Sequence, residues 1–178
     1  MSFADQHIGL HIRQATPEDL PLLVEMGRRT FYEAFRDVNT EDNMALFLHT
    51  QFQESVIAEE MKEEGAVFFL AYFGDIPIGF TKVRTGHEPP ELEGARSLEV
   101  ERIYILREHQ DKRAGSLLLT HNIDYARQRG FDVIWLGVWE ENAHAIRFYE
   151  RHGFRAFGDH IFVVGTDPQR DILMKKDI

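Results

Sequence analysis

The 178-residue sequence contains no cysteine, which excludes a disulfide framework, Cys-ligated zinc, iron–sulfur clusters and thiol catalysis. Positive charge is in deficit, with 20 basic against 30 acidic side chains and a formal net charge of −10. A pI near 5.3 argues against nucleic acid or an anionic membrane as the main partner. Long apolar runs are missing as well. The longest, Ala66 to Phe73, falls far short of the roughly 20 residues a transmembrane helix needs. The opening Met1-Ser-Phe-Ala-Asp-Gln-His7 carries an early acid, no Lys or Arg and no apolar core, so no signal peptide is expected and the default compartment is cytoplasmic. No internal repeat or low-complexity tract occurs, and neither His-Glu-x-x-His, a P-loop nor Gly-x-Ser-x-Gly is present. The whole chain is 43% apolar and 28% charged, an ordinary globular composition, and it is long enough to bury a core without staples. At about 150 residues per domain, one domain over 1–178 is expected.

Residues 8–14 read as a short opening strand. Thr16-Pro17-Glu18-Asp19 then gives a helix start: an N-cap hydroxyl, proline in the first turn and acids at the positive end of the dipole. That helix is expected to reach about Phe35. A second follows Asn39-Thr40, with Met44, Phe47, Leu48 and Phe52 at helical spacing, and a third covers 54–64 up to Gly65. Residues 66–73 and 76–84 flank Gly74-Asp75 as a hairpin. Thr85 to Ser97 reads as one long connection, followed by a strand at 98–105, a helix at about 115–129 ended by Gly130, and a buried strand at 131–139. A helix at 142–152 capped by Gly153 and two strands near 154–164 and 171–176, joined by Gly165-Thr-Asp-Pro168, complete the chain. This order implies an α/β (α+β) sandwich, a mixed sheet of about six to seven strands with helices on both faces.

Three segments converge on one site. Strand 98–105 runs into Gln110-Asp111-Lys112-Arg113-Ala114-Gly115-Ser116. A strand that ends in a small loop and opens a helix presents free N–H groups at a positive dipole end, suited to a pyrophosphate. A solvated loop before an ordinary helix would read the same way. In the second segment, Asn142, Ala145 and Tyr149 share one helix face, while Arg147, Glu150 and Arg151 turn to solvent. Taken alone, a Tyr near the end of an amphipathic helix, as Tyr149 is, is more often a core aromatic with a satisfied hydroxyl. The third, Phe131 to Trp139, is a central strand covered on both faces that delivers the chain to Asn142.

Together, from Ile12-Arg-Gln-Ala-Thr-Pro-Glu-Asp19 to the closing strand, these segments resemble the acetyl-CoA-dependent N-acetyltransferases of the GNAT superfamily. Leu98-Glu-Val-Glu-Arg-Ile-Tyr-Ile105, Trp135-Leu-Gly-Val-Trp-Glu140 and Gly165-Thr-Asp-Pro-Gln-Arg-Asp171 are similar to phrases of the PaiA-type polyamine acetyltransferases. The resemblance implies a GNAT fold, with strand 98–105 splayed from strand 131–139 so that the pantetheine arm pairs along Ile103, Tyr104 and Ile105. The Ile103 amide would polarise the thioester carbonyl, Gln110 to Ser116 would hold the pyrophosphate, and Asn142 with Ala145 would meet the arm. Tyr149 would protonate the leaving thiolate. One departure stands out: Arg113 replaces the middle glycine of the family's loop, where a glycine lets backbone approach phosphate without a Cβ clash. Arg113 could instead contact a phosphate bidentately.

An amine of pKa near ~10 must lose a proton before it attacks a thioester. Glu101 is the candidate base, on the strand face assigned to Glu99 and Ile103; its other reading is a carboxylate paired with a neighbouring Arg. Residues 16–64 carry a net −8 and residues 85–101 a net −4, and the rest of the chain sums to +2. In the family those two stretches border the acceptor side, which favours a small cationic amine such as a polyamine as partner. Phe31, Glu33 and Trp139 are candidate acceptor contacts. No metal is expected: His7 and His11, and His144 and His152, lack ligand geometry. Acetylation of a protein N-terminus or lysine, and a CoA-binding module with little catalysis, remain as alternatives, and a homodimer is left open.

Overall fold

The structure, a computed structural model, describes residues 9–178, and of Asp111 and Lys112 only the backbone. His7 lies outside the described residues. Seven strands form one sheet in the order β1-β2-β3-β4-β5-β7-β6: β1 Leu10–Gln14, β2 Val67–Phe73, β3 Ile76–Arg84, β4 Ser97–Ile105, β5 Val133–Trp139, β6 Arg155–Val164 and β7 Asp167–Asp177. Only β4 and β5 pair in parallel. The helices are α1 Leu20–Phe35, α2 Glu41–Gln51, α3 Glu54–Glu60, α4 Ala114–Gln128 and α5 Ala143–Arg151. Among the described residues no helix is long and apolar enough to cross a membrane.

The entry to α1 is built as its sequence suggests. The Thr16 N–H donates to Asp19 Oδ2 at 2.8 Å, and a 3-10 turn over Pro17–Asp19 leads into the helix. Along α1, Leu23, Met26, Gly27, Thr30 and Phe31 are buried at helical spacing. Gly27 is small for a reason, since a Cβ there would collide with the Phe52 ring. The Thr40 hydroxyl caps α2 by accepting from the Asn43 N–H at 3.2 Å. Helices α1 to α3 cover one face of the sheet, packing on Phe68, Leu70 and Phe80. On the other face α4 and α5 lay Leu119, Ile123, Ala126 and Tyr149 over Leu98, Val100, Ile134, Leu136 and Val138.

Several boundaries differ from the sequence reading. Helix α3 stops at Glu60, because Glu60 and Glu63 turn inward to Lys82 instead of facing solvent. The 85–97 connection holds a 3-10 turn, Pro90–Leu92, whose Leu92 is buried beside Trp135 and Leu173. Strand β7 begins at Asp167, ahead of the expected 171. Pro168 is tolerated there because its partner is Val163 of β6 alone, while the ladder to β5 starts only at Asp171.

The decisive irregularity lies in β4. Val83 pairs with Val100 and Lys82 with Arg102, so Glu101 is an extra residue, a β-bulge. The bulge switches the alternation of faces. Leu98, Val100 and Ile103 pack on the α4 side, while Tyr104 packs against the α1–α3 core. Glu101 therefore does not share a face with Ile103. The Arg102 carbonyl accepts from Thr81 Oγ1 at 2.7 Å, and that hydroxyl accepts from Asn122 Nδ2 of α4 at 2.9 Å. A buried side-chain chain thus pins the distorted segment.

Candidate active site

The parallel ladder between β4 and β5 holds for three pairs, Ser97–Val133, Leu98–Ile134 and Glu99–Trp135, and then ends. Beyond it the strands diverge around a cleft of about 540 Å3, whose walls include Ile103, Ile105, Gly115, Val138, Asn142 and Tyr149. Leu106 donates its N–H to Ile78 of β3 at 2.9 Å. Strand alternation from that bond turns the Ile103 and Ile105 N–H groups toward the open edge and the Tyr104 N–H toward β3. Ile103 and Ile105 thus fit an extended amide-bearing ligand that completes the sheet. Tyr104 does not. Its ring lies on the opposite face, 6.4 Å from Phe31 and 5.9 Å from Phe80, and burial pushes its hydroxyl up to about 12.

At the end of β4 the backbone of Gln110, Asp111 and Lys112 belongs to a 3-10 segment, Arg107–Lys112, and the Gln110 amide donates to the Ile105 carbonyl at 3.2 Å. The Asp111 and Lys112 side chains lie outside the described residues. Arg113 adopts φ 57°, the one non-glycine residue at positive φ among the described residues. This left-handed turn is what a glycine would supply without strain. It opens α4 so that the first-turn N–H groups of Ala114, Gly115 and Ser116 lack intrahelical partners. A Cβ on Gly115 would meet only Phe148, at 3.7 Å, which leaves the cleft side open. Such a turn-and-helix start is a fitting anion cradle. Across the cleft Asn142 caps α5, its Oδ1 accepting from the Ala145 N–H at 3.1 Å, so its amide nitrogen is the end left for a ligand.

Tyr149 is 9% exposed and packed against Phe148 and Phe154. Among the described residues nothing hydrogen-bonds its hydroxyl, and burial holds that hydroxyl's pKa well above its ordinary value. It stays protonated through the neutral range. Arg147, Glu150 and Arg151 face solvent, as their spacing indicates.

The acceptor-side residues divide. Glu101 lines the cleft, but its carboxylate sits 2.5 Å from the Lys82 ammonium and 3.0 Å from Arg84, the paired reading of this residue. Phe31 is 2% exposed, stacked on Phe47 at 4.1 Å, and contributes wall more than contact surface. Glu33 accepts from Arg29 Nε and from the Arg107 N–H, both at 3.0 Å, so it holds the start of the 107–112 segment. Trp139 stands at the cleft end of β5. The sequence reading assigned no role to Lys82, Gly137, His160 or Asp171. An isolated glycine inside the apolar run Val133–Trp139 was the available signal, since it marks a close approach. Among the described residues no group of three or more metal-ligating side chains forms.

A family model described as the Acetyltransferase (GNAT) family matches residues 28–154. An uncharacterised N-acetyltransferase of Lactobacillus delbrueckii subsp. lactis is 34% identical over 94% of this chain and 97% of its own. A spermidine N(1)-acetyltransferase of Thermoplasma acidophilum is 23% identical over 95% of this chain and 98% of its own. The crystal structure of a PaiA N-acetyltransferase from Thermoplasma acidophilum in complex with coenzyme A superposes with a TM-score of 0.79 at 21% identity, covering 95% of this chain and 99% of that one. The seven-stranded sheet and its helices follow that fold, with the mixed sheet and splayed strand the sequence implied.

Proposed function

The chain belongs to the GNAT acetyltransferase family, and from that premise we propose that it moves an acetyl group from acetyl-CoA to the primary amine of a small polycation of the polyamine class. The observation that carries the reading is the end of the β4–β5 ladder after Glu99–Trp135, which leaves the Ile103 and Ile105 N–H groups on one side of a cleft whose other side holds Tyr149.

The residues present fit acetyl-CoA. The left-handed turn at Arg113 and the open first turn of α4 suit a diphosphate, with Gln110, Arg113 and Ser116 around it. The strand edge at Ile103 and Ile105 suits the amides of the pantetheine arm, with the free amide of Asn142 and the small Ala145 opposite. When bound, this cosubstrate supplies an acyl group activated as a thioester. The Ile103 N–H, preorganised by its strand, offers a hydrogen bond to negative charge that develops on a carbonyl oxygen. The Tyr149 hydroxyl, protonated at neutral pH, gives a proton to sulfur. Because its proton is held tightly, that transfer is coupled to recovery of a proton from the acylated nitrogen.

For the acceptor, residues 16–64 bring a net −8 to the α1–α3 side, while the cradle is served by basic residues. A cation is steered to the former and the polyanionic cosubstrate to the latter. Part of that negative charge is already spent inside the fold, on Lys82 and Arg102, so the carboxylates along the cleft matter more than the total. The test is product analysis by mass spectrometry after incubation with acetyl-CoA and an equimolar mixture of spermidine, spermine, a lysine-bearing peptide and an aminoglycoside. Preferential acetylation of the polyamines is expected; preferential acetylation of the peptide overturns the acceptor class.

A further inference from the structure

Every acidic side chain of the cleft except one is covered by an arginine or lysine. Glu33 is held by Arg29 and by the Arg107 N–H, and Glu101 by Lys82 and Arg84. Just behind them, Glu99 is held by Arg84 at 2.6 Å. Asp171 of β7 lines the same cleft, yet among the described residues its ion-pair partner is a histidine, His160 of β6, with Nε2 at 3.5 Å. The two are direct cross-strand partners on the edge hairpin. Both side chains lean over Gly137 of β5, where an added Cβ would stand 3.2 Å from Asp171 Oδ2 and 3.2 Å from His160 Nε2. The glycine in the central strand is thus the space the pair occupies. The Asp171 side chain is 13% exposed and that of His160 44%, so the carboxylate looks into the cleft and the imidazole reaches solvent.

We propose that Asp171 anchors the ammonium of the acceptor and that His160, acting through Asp171, takes the proton the amine must lose and passes it to solvent. The inference rests on the amine-acetyltransferase reading above. An ammonium is inert toward a thioester; placed against a carboxylate that faces a neutral imidazole 3.5 Å away, it can lose one proton along that line. The neutral nitrogen then forms its bond to the acetyl carbon as the carbon–sulfur bond breaks. The second nitrogen proton ends on the CoA sulfur by way of Tyr149. One proton leaves through His160, one stays on the thiol, and charge balances.

The pair also makes the site pH-dependent, with a definite sign. His160 faces Asp171 on β7, Glu99 on β4 and its neighbour Asp159, all acidic, and these raise its pKa above the ordinary imidazole value. Asp159 is itself held by Arg170, which also pairs with Glu140, and Glu91 of the 85–97 connection lies beside Gly158 on the same strand. While His160 is protonated, its charge competes with the acceptor ammonium for Asp171. Acceptor affinity therefore rises with pH as His160 discharges, and a bound ammonium must in turn lower the His160 pKa.

The test is an NMR titration of the His160 imidazole in the full-length protein with and without saturating spermidine, joined to steady-state kinetics of Asp171→Asn and His160→Gln. Spermidine is expected to lower the His160 midpoint in the wild type and leave it unmoved in Asp171→Asn. Asp171→Asn should raise the spermidine KM at least about tenfold, the scale of one lost charged hydrogen bond, with the acetyl-CoA KM within about twofold. In His160→Gln the rise of spermidine kcat/KM with pH should flatten, which a merely structural histidine would not produce. A His160 midpoint that ignores spermidine in a wild type that acetylates it overturns the anchor and leaves the proposed function standing. A midpoint that moves in a protein that acetylates no amine does the reverse.

Discussion

Replacing Lys82 by Met probes the charged hub behind the site. Lys82 is 1% exposed, with its Nζ 2.5 Å from Glu101, 3.2 Å from Glu60 and 3.6 Å from Glu63. Met keeps the length of the stem and its contact with Phe68 but deletes the charge. Removing one partner of a buried ion pair costs about 3–5 kcal/mol when the other is left unpaired. Here each carboxylate keeps a second partner: Glu101 has Arg84 at 3.0 Å, Glu60 has Arg102 at 2.6 Å, and Glu63 has the His87 imidazole at 2.7 Å. The loss is therefore expected at the bottom of that range, about 3 kcal/mol. Glu101→Gln leaves the ammonium with Glu60 and Glu63 and should cost less, about 1–2 kcal/mol. Urea unfolding of both single variants and the double variant, at unchanged m-value, measures their coupling, expected at about 1 kcal/mol or more. Because Glu101 is the bulge residue of β4, Lys82→Met should also weaken CoA binding. Stability of Lys82→Met within about 0.5 kcal/mol of wild type, the range of ordinary surface changes, would refute the idea that this ammonium organises the bulge.

Tyr149→Phe should lower kcat by about 100-fold or more, the low end for a proton donor, with the acetyl-CoA KM nearly unchanged in steady-state kinetics. Gly137→Val should raise the acceptor KM while thermal unfolding moves little, because the new side chain meets Asp171 and His160 at the cleft and leaves the core intact. Arg113→Gly relieves a left-handed arginine and should raise stability by about 1 kcal/mol in thermal unfolding. The same change removes a cation, so its CoA affinity, measured by calorimetry, should fall most at low salt. Asp19 is held by Arg13 at a pKa of about 2, below its ordinary 3.8. Asp19→Asn should accordingly reduce stability at neutral pH, with the difference from wild type shrinking as pH falls from about 4 toward 2 in acid-titrated urea melts.

The helices and most strands were readable because each carries its own local signal. Thr16-Pro17-Glu18-Asp19 and Thr40 mark starts through capping chemistry, and Gly130 and Gly153 mark stops with φ of 72° and 86°. The turn that opens α4 was legible from the strand-to-helix junction at 110–116, and helical spacing put Asn142, Ala145 and Tyr149 on the face that lines the cleft. Glu101 misled because period-2 alternation was applied through a bulge. No glycine or proline announces that bulge; it is fixed instead by Thr81, Asn122 and Lys82, which lie far away in the chain. Asp171 and His160 were missed for a related reason. They come together only through antiparallel register across an edge hairpin, and eleven residues of sequence separation give no periodic signature. The same holds for Leu92, whose burial comes from Trp135 and Leu173 rather than from its own loop.

On the proposed reading, the cleft between β4 and β5 unites an open N–H edge, a left-handed turn at Arg113 and a protonated tyrosine for the acetylation of an amine. Thiol release from acetyl-CoA, followed with saturating spermidine for wild type and Tyr149→Phe side by side, tests that union most directly. Saturable turnover in the wild type, suppressed about 100-fold or more in the variant, is the expected result. Thiol release that stays at the rate of spontaneous hydrolysis, or that Tyr149→Phe leaves unchanged, would contradict it.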